Sequence, residues 1–153
     1  IVEARITSYC QTDSPFLASG ETISIQVPGS IALETCGWRL LVDFPDNVHW
    51  KSIYNNADRW KAYIDGDKLE DRTLQLRSRQ PGDKFQPLGM DGRSQSLANY
   101  MTNARIPYEL RDRMPLLVSG EQILWIPGWR LDQRVRVRHT TQTIWRIRMA
   151  CPS

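Results

Sequence analysis

The sequence predicts an α+β fold that is mainly β, a mixed-sheet or barrel-like module with two short helices. Several segments alternate apolar and polar residues with period two, for example Thr22–Val27 and Leu74–Leu76, which is typical of half-buried strands. Gly and Pro turns separate these segments at short intervals. Helical spacing is confined to residues 94–115. A length of 153 residues fits one domain, or two small ones.

Three alternating segments near the start, at 22–27, 30–35 and 38–44, are separated by turns at Pro28-Gly29 and Cys36-Gly37. They predict a β-meander, followed by a polar loop at 45–56. We therefore expect residues 1–58 to form a leading β-meander and loop, and residues 59–153 to form a C-terminal module. Residues 20–58 are expected to be compact with that module.

A strand is predicted at 59–65, and it ends in a turn that contains Asp65 and Asp67. Two aspartates at this spacing can indicate a cation-binding loop. The glutamate that a calcium loop needs at its twelfth position is absent, because Leu76 stands there. The pattern therefore favours an aspartate turn whose carboxylates bond to nearby backbone.

The last half of the chain alternates helix and strand patterns. Leu97, Tyr100, Met101 and Ala104 have helical spacing, and Ser94 or Ser96 is available as the N-cap. A second helix is predicted from Pro107 to just before Pro115. The predicted strands are 116–119 and 122–126, joined at Gly120, then 131–139 and 143–149, each of the last two with one arginine face and one apolar face.

Several functional classes lack their usual residues. No apolar run reaches the roughly 18 residues of a membrane span. The chain contains no phosphate-binding loop, dinucleotide fingerprint or nucleophile elbow, and only two histidines. We therefore predict no catalytic and no metal-binding residue. Three widely spaced cysteines match neither a disulfide framework nor a zinc site, which favours a reducing cytoplasm.

Positive charge is concentrated at the C-terminal end. Residues 130–148 contain six Arg and one Asp, a net charge of +5, whereas the rest of the chain carries −2. Such asymmetry suits either a surface that faces a polyanion or a solvated outer sheet face. Arginine pairs well with phosphate, so RNA is the predicted ligand. The candidate RNA-binding residues are Arg77, Arg79, Lys84, Arg93, Arg105, Arg111, Arg113, Arg130 and Arg134.

Three motifs in the central region carry a resemblance to a known family. They are RSRxPGDxFxPLGM at 77–90, RDRxPLL at 111–117 and IxWxPG at 123–128. Together with the segment 63–69, they resemble the C-terminal domain of bacterial tRNA(Ile)-lysidine synthetases, closely over 59–149 and more loosely over 22–44. The family's domain is similar to a module of the phenylalanyl-tRNA synthetase β-subunit.

The resemblance implies a function. Enzymes of this family use ATP, magnesium and lysine to convert the wobble cytidine of tRNA(Ile) with a CAU anticodon to lysidine. Their N-terminal catalytic domain has an SGGxDS loop that this chain lacks, so the chain is expected to be a fragment without that domain and without a cofactor of its own. The C-terminal domain would hold the tRNA acceptor stem. The expected partners are therefore that stem and the N-terminal catalytic domain of the same protein.

The chain departs from the family at one basic pair. Gln95 and Ser96 replace two lysines, so no RNA contact is expected there, and Asn99 and Asn103 stand where the family usually has aspartates. Two other interpretations stay open. The chain could be a docking or dimerisation module whose arginines pair with protein acids, or a free-standing RNA-binding regulator. Arg77 and Arg79 could also brace their own turn by pairing with Asp83.

Overall fold

The computed structural model describes residues 13–151, which form eleven strands, two α-helices and three 3-10 turns. The strands are β1 (Thr22–Gln26), β2 (Gly29–Ala32), β3 (Arg39–Asp43), β4 (Lys61–Asp65), β5 (Thr73–Arg77), β6 (Lys84–Phe85), β7 (Gln95–Ser96), β8 (Leu116–Ser119), β9 (Gln122–Ile126), β10 (Arg130–Leu131) and β11 (Ile144–Ala150). The helices are α1 (Trp50–Tyr54) and α2 (Leu97–Asn103), and the 3-10 turns are Gly66–Lys68, Tyr108–Leu110 and Gln133–Val135.

The strands form two main sheets and a small ribbon. One sheet has the order β1-β5-β8-β9-β10, the second has the order β2-β3-β11-β4, and β6 pairs with β7. The prediction of a mainly β α+β domain with two short helices is confirmed. Every pairing in the described part of the chain is antiparallel, so these sheets are not mixed, and they do not close into a barrel.

The five-stranded sheet is the central layer, and each of its faces contributes to a separate apolar cluster. On β8, Leu117 packs into the cluster shared with the four-stranded sheet. Its neighbours Leu116 and Val118 pack into a second cluster with α2 and Phe85. A strand buried on both faces has a continuous apolar run, as β8 has at its first three residues. Helix α2 and the β6–β7 ribbon therefore pack on one face of the central sheet, and the four-stranded sheet packs on the other face.

The predicted leading β-meander is wrong, because its three strands belong to two sheets. β1 pairs with β5, with Ile25 opposite Leu74, whereas β2 and β3 pair with each other in the other sheet. Both Ile25 and Leu74 are buried, so the burial of distant apolar residues decides the pairing rather than closeness in sequence. The division of the chain at residue 58 stays a prediction, although both sheets contain strands from either side of it.

Helix α2 begins where the sequence predicts it. The Ser96 hydroxyl accepts a hydrogen bond from the Asn99 N–H at 3.1 Å, and Leu97, Tyr100 and Met101 are buried. The second predicted helix is only the 3-10 turn Tyr108–Leu110. No residue from 107 to 113 is buried, so this segment has no apolar stripe to hold a longer helix.

Two other segments differ from the prediction. The polar loop at 45–56 contains α1, whose N-cap His49 accepts a hydrogen bond from the Lys51 N–H. The strand predicted at 131–139 ends after Leu131, because the buried Asp132 carboxylate accepts hydrogen bonds from the Arg134 and Gln86 N–H groups. An aspartate that bonds backbone in this way favours a turn over a strand.

The aspartate turn at 65–68 is confirmed. Asp65 accepts a hydrogen bond from the Asp67 N–H at 3.0 Å, and the Asp67 carboxylate accepts from the N–H groups of Gln142 and Thr143. Both aspartates thus hold backbone, which joins this turn to the chain entering β11.

The cysteines do not support the argument for a reducing compartment. Cys36 is free and buried, but Cys151 is disulfide-bonded, which the odd number and wide spacing of the cysteines did not predict. Cys10 lies outside the described residues. Within residues 13–151, no helix has the length and hydrophobicity that crossing a bilayer requires.

Candidate nucleic-acid interface

Arg77 is a structural brace. Its guanidinium donates two hydrogen bonds to the Asp83 carboxylate, both at 3.0 Å, across the turn at Pro81-Gly82. Only 8% of the Arg77 side chain and 9% of the Asp83 side chain are exposed. The guanidinium is therefore committed to its own turn, as the alternative interpretation of this pair expected.

Two further candidates are also paired with acids. Arg79 donates to Asp112 at 2.8 Å, so Asp112 pairs across the fold and not with its neighbour Arg113. Arg134 donates two hydrogen bonds to Asp132, at 2.9 and 3.0 Å, and this bonding raises the pKa of Arg134 above its usual value. An ion pair of this kind leaves less charge for an outside anion.

The other six candidates have no carboxylate within 4.0 Å among the described residues; they are Lys84, Arg93, Arg105, Arg111, Arg113 and Arg130. Two of them are positioned by neutral acceptors. Arg111 donates to the Ile106 carbonyl and the Thr102 hydroxyl, and Arg130 donates to the Leu88 carbonyl. A neutral acceptor holds a guanidinium in place without cancelling its charge.

Five of these cations lie on segments that adjoin α2 in the chain or contact it. Lys84 lies on β6 opposite Ser96, the N-cap of α2, and Arg93 lies in the loop between β6 and β7. Arg105 follows the C-terminus of α2 in a left-handed conformation, with φ of 59°. Arg111 reaches Thr102 on the helix.

Arg130 approaches α2 from β10. Burial raises the pKa of Tyr100 on α2, and the Arg130 charge opposes that shift. The sixth cation, Arg113, lies apart, with its guanidinium 5.5 Å from the Phe16 ring. We call the surface formed by Lys84, Arg93, Arg105, Arg111 and Arg130 the α2 surface.

Gln95 and Ser96, which stand where the family usually has two lysines, make hydrogen bonds to α2. Ser96 caps α2, and the Gln95 side-chain oxygen accepts a weak hydrogen bond from Asn103 at 3.4 Å. These two residues stabilise the helix beside which the α2 surface lies.

Sequence reasoning missed a second concentration of aromatic and basic residues. A cavity of about 610 Å³ lies between α1 and the region after β9, with Trp50 at one wall. Among the nine candidates, only Arg130 lines it. The spacing of Trp50 and Tyr54 is the signal that could have indicated α1, since residues four apart share a helix face.

The described part of the chain offers no all-protein cage for a metal ion. Between residues 13 and 151, no cluster of three or more His, Cys, Asp or Glu side chains could hold a metal ion. Asp65 and Asp132, the fully buried aspartates, accept hydrogen bonds from backbone.

Comparison with known proteins gives the family. The model of the TilS substrate C-terminal domain matches residues 74–149, which include all three motifs. The chain belongs to the TilS C-terminal domain family. A crystal structure of a TilS C-terminal domain superposes on 87% of this chain and 99% of its own, with a TM-score of 0.67 at 20% identity. The fold of the TilS C-terminal domain therefore extends beyond the matched segment.

The relatives of this TilS C-terminal domain are longer proteins. The tRNA(Ile)-lysidine synthase of Dehalococcoides mccartyi is 41% identical over 86 residues, 56% of this chain and 18% of that protein. That of Symbiobacterium thermophilum is 31% identical over 123 residues, 80% of this chain and 24% of that protein. The chain thus spans about a fifth to a quarter of the curated relatives it matches. A phenylalanyl-tRNA synthetase β-subunit fragment from Pyrococcus horikoshii aligns over 65% of the chain with a TM-score of 0.49.

Proposed function

We propose that this domain binds the acceptor stem of tRNA(Ile) as the substrate-recognition part of a tRNA(Ile)-lysidine synthase. The observation that carries the proposal is the membership in the TilS substrate C-terminal domain family, whose relatives have that enzyme name. The α2 surface supports it, because its five cations have no acid partner in the described residues.

The whole enzyme would join lysine to the wobble cytidine of the tRNA at the expense of ATP, with magnesium. We place that ligase reaction in an N-terminal catalytic domain of the same protein, outside this chain, because the SGGxDS loop of the family's catalytic domain is absent from this sequence and the chain matches only 18% to 24% of the length of these relatives. This chain would hold the substrate and not catalyse. A cytoplasmic location stays a prediction.

An RNA stem suits the α2 surface for an electrostatic reason. A-form RNA is recognised mainly by its shape and through its phosphates and 2′-hydroxyls, since its deep groove hides the base edges. Cations spread around a short helix, and not aligned in one groove, can contact phosphates on a curved backbone. Each phosphate contact releases counterions, so binding should weaken steeply as salt rises.

The test is to remove charge from the α2 surface. Lys84→Gln, Arg93→Gln and Arg105→Gln together should weaken binding of an acceptor-stem minihelix by about tenfold or more at low salt. The slope of log K against log salt should become less steep by about 2 to 3, because three phosphate contacts are lost. A filter-binding or mobility-shift titration at several salt concentrations measures both quantities.

A matched control removes the same charge elsewhere. Arg39→Gln, Lys68→Gln and Arg72→Gln together should leave the salt slope close to that of the parent chain. Equal slopes for the two triple variants, or no binding of the minihelix in dilute buffer by the parent chain, would contradict the proposal. The latter result, together with a stable complex with the catalytic domain, would favour the docking-module alternative.

A further inference from the structure

We propose that the cavity beside α1 binds one unpaired nucleotide of the RNA, with its base stacked on Tyr54 and its phosphate held by arginines. We call it the α1 cavity; its lining includes Trp50, Tyr54, Arg59, Trp129, Arg138 and His139. The inference rests on the proposed function, because it assigns a second subsite for the same RNA. That subsite is separate from the α2 surface except for Arg130.

The walls of the α1 cavity are aromatic. The Trp50 and His139 rings have centroids 4.2 Å apart, and Trp50 stacks with Tyr54 at 6.4 Å and an interplanar angle of 24°. Tyr54 is 79% exposed, the largest exposure among the large hydrophobic residues of the described chain. Flat side chains that remain open to solvent offer a stacking surface for a base, as in proteins that bind single-stranded RNA.

The cavity has the size for one nucleotide. Its volume of about 610 Å³ lies within the roughly 300 to 1,000 Å³ typical of small-molecule sites. The buried side chains of Tyr63 and Trp125 form part of the lining, so its deepest part is formed by the sheets. A cavity built on two sheets keeps its shape without the ligand.

The charge of the lining favours an anion. Its ionisable side chains other than histidine and tyrosine are five cations and one acid; they are Arg59, Lys61, Arg130, Arg136, Arg138 and Asp58. The single acid already accepts a hydrogen bond from the Trp60 N–H. Arg138 lies 3.6 Å from the buried Asp65, which offsets part of one positive charge.

Three of the arginines are positioned by neutral groups. Arg59 donates to the Gly128 carbonyl at 3.2 Å, Arg130 to the Leu88 carbonyl at 3.0 Å, and Arg136 to the Gln133 carbonyl at 2.9 Å. These bonds order the guanidiniums in advance and leave their charge uncompensated, which lowers the entropic cost of binding phosphate.

The combination of aromatic walls and ordered cations distinguishes an unpaired nucleotide from a duplex. A base within a stem is stacked and paired, so it cannot enter a cavity without costly unstacking. A single-stranded end pays little of that cost. A free mononucleotide has the same chemistry, and the experiment must separate the two sources.

The test compares three ligands: an acceptor-stem minihelix with its single-stranded 3′ end, the same stem with a blunt end, and AMP. We expect the tailed stem to bind about five- to a hundredfold more tightly than the blunt stem, the range measured for stacking one base. It should also quench tryptophan fluorescence more strongly. Tyr54→Ala with Arg138→Gln should remove the preference for the tail and leave binding of the blunt stem unchanged.

Tyr108→Ala is the matched control, since Tyr108 is 74% exposed and does not line the α1 cavity. It should leave the ratio between tailed and blunt stems unchanged, and a thermal melt of each variant checks folding. Equal affinity for both stems would overturn this inference but leave the proposed function intact. Binding of AMP without any preference for the tail would assign the cavity to a free mononucleotide and overturn the RNA assignment. Failure of both stems to bind would overturn the proposed function itself.

Discussion

At the scale of single residues, the role of an arginine in this domain depends on the acid beside it. Arg77 and Arg93 are chemically identical; Arg77 begins the first family motif, and Arg93 lies three residues after that motif ends. Arg77 is buried against Asp83, whereas Arg93 is exposed and has no carboxylate partner in the described residues. Arg77 therefore braces its own turn, whereas Arg93 is open to an outside anion, and RNA contact by either residue stays a prediction.

This difference gives a prediction for Arg77→Gln. The change leaves the Asp83 carboxylate without its partner in a buried site, so the free energy of unfolding should fall by about 3 to 5 kcal/mol. Urea denaturation measures the loss, and Arg93→Gln, which removes an exposed charge, should cost less than about 0.5 kcal/mol. A destabilised Arg93→Gln and a fully stable Arg77→Gln would reverse these two assignments.

At the scale of elements, the pairing of β3 with β11 is reinforced on its polar face. Asp43 and Arg146 are directly opposite in the register, and the Arg146 Nε donates to the Asp43 carboxylate at 3.0 Å. Arg148, two residues further along β11, lies 3.7 Å from the same carboxylate. The hydrogen bond from Arg146 is the main reason that the pKa of Asp43 is below its usual value of 3.8.

The lowered pKa predicts how Asp43→Asn changes stability with pH. A carboxyl whose pKa is lower in the folded than in the unfolded state stabilises the fold above the unfolded value, and this contribution disappears as pH falls through the folded value. Asp43→Asn should therefore have a lower free energy of unfolding than the parent chain at pH 7. This difference between the two proteins should disappear as the pH falls below 3.8. The exposed residue Asp46 provides the control Asp46→Asn. If urea denaturation gave the same difference in free energy of unfolding from pH 7 to pH 2, that result would contradict the role of the Asp43–Arg146 pair.

At the scale of the whole molecule, the two large sheets meet where the glycine that ends the IxWxPG motif contacts an aromatic ring. Gly128 has φ of 83°, and a Cβ added there would lie 2.6 Å from Trp60, which precedes β4. Its N–H donates to the Arg59 carbonyl, and the Arg59 guanidinium donates back to its carbonyl. Only glycine fits this contact, and the chain neighbours Arg59 and Trp129 line the α1 cavity.

Gly128→Ala should destabilise the domain by about 2 to 5 kcal/mol. The left-handed conformation costs roughly 1 to 2 kcal/mol for a residue with a Cβ, and the overlap with Trp60 adds about 1 to 3 kcal/mol. Gly120→Ala is the matched control, because its φ is 60° and nothing lies within 4 Å of an added Cβ. It should show the conformational cost alone. Equal thermal shifts for the two variants would mean that the Trp60 contact adds nothing.

Local pattern was enough to predict many of the elements. The alternation of Leu74 and Leu76 predicts β5, the spacing from Leu97 to Met101 predicts α2, and Gly120 predicts the hairpin of β8 and β9. Each of these signals lies within a few residues, because strand and helix periods and turn residues are local properties of the chain. The family motifs are likewise read along the chain, and they sufficed to identify the domain.

Only the tertiary structure decided which strands share a sheet and which arginines keep their charge. β1 leaves the predicted meander because Ile25 is buried opposite Leu74, and Arg79 is paired with Asp112 from a distant segment. The α1 cavity likewise combines residues 50–63 with residues 125–139. The physical reason is that burial and ion pairing depend on distances between remote segments, which no local periodicity encodes.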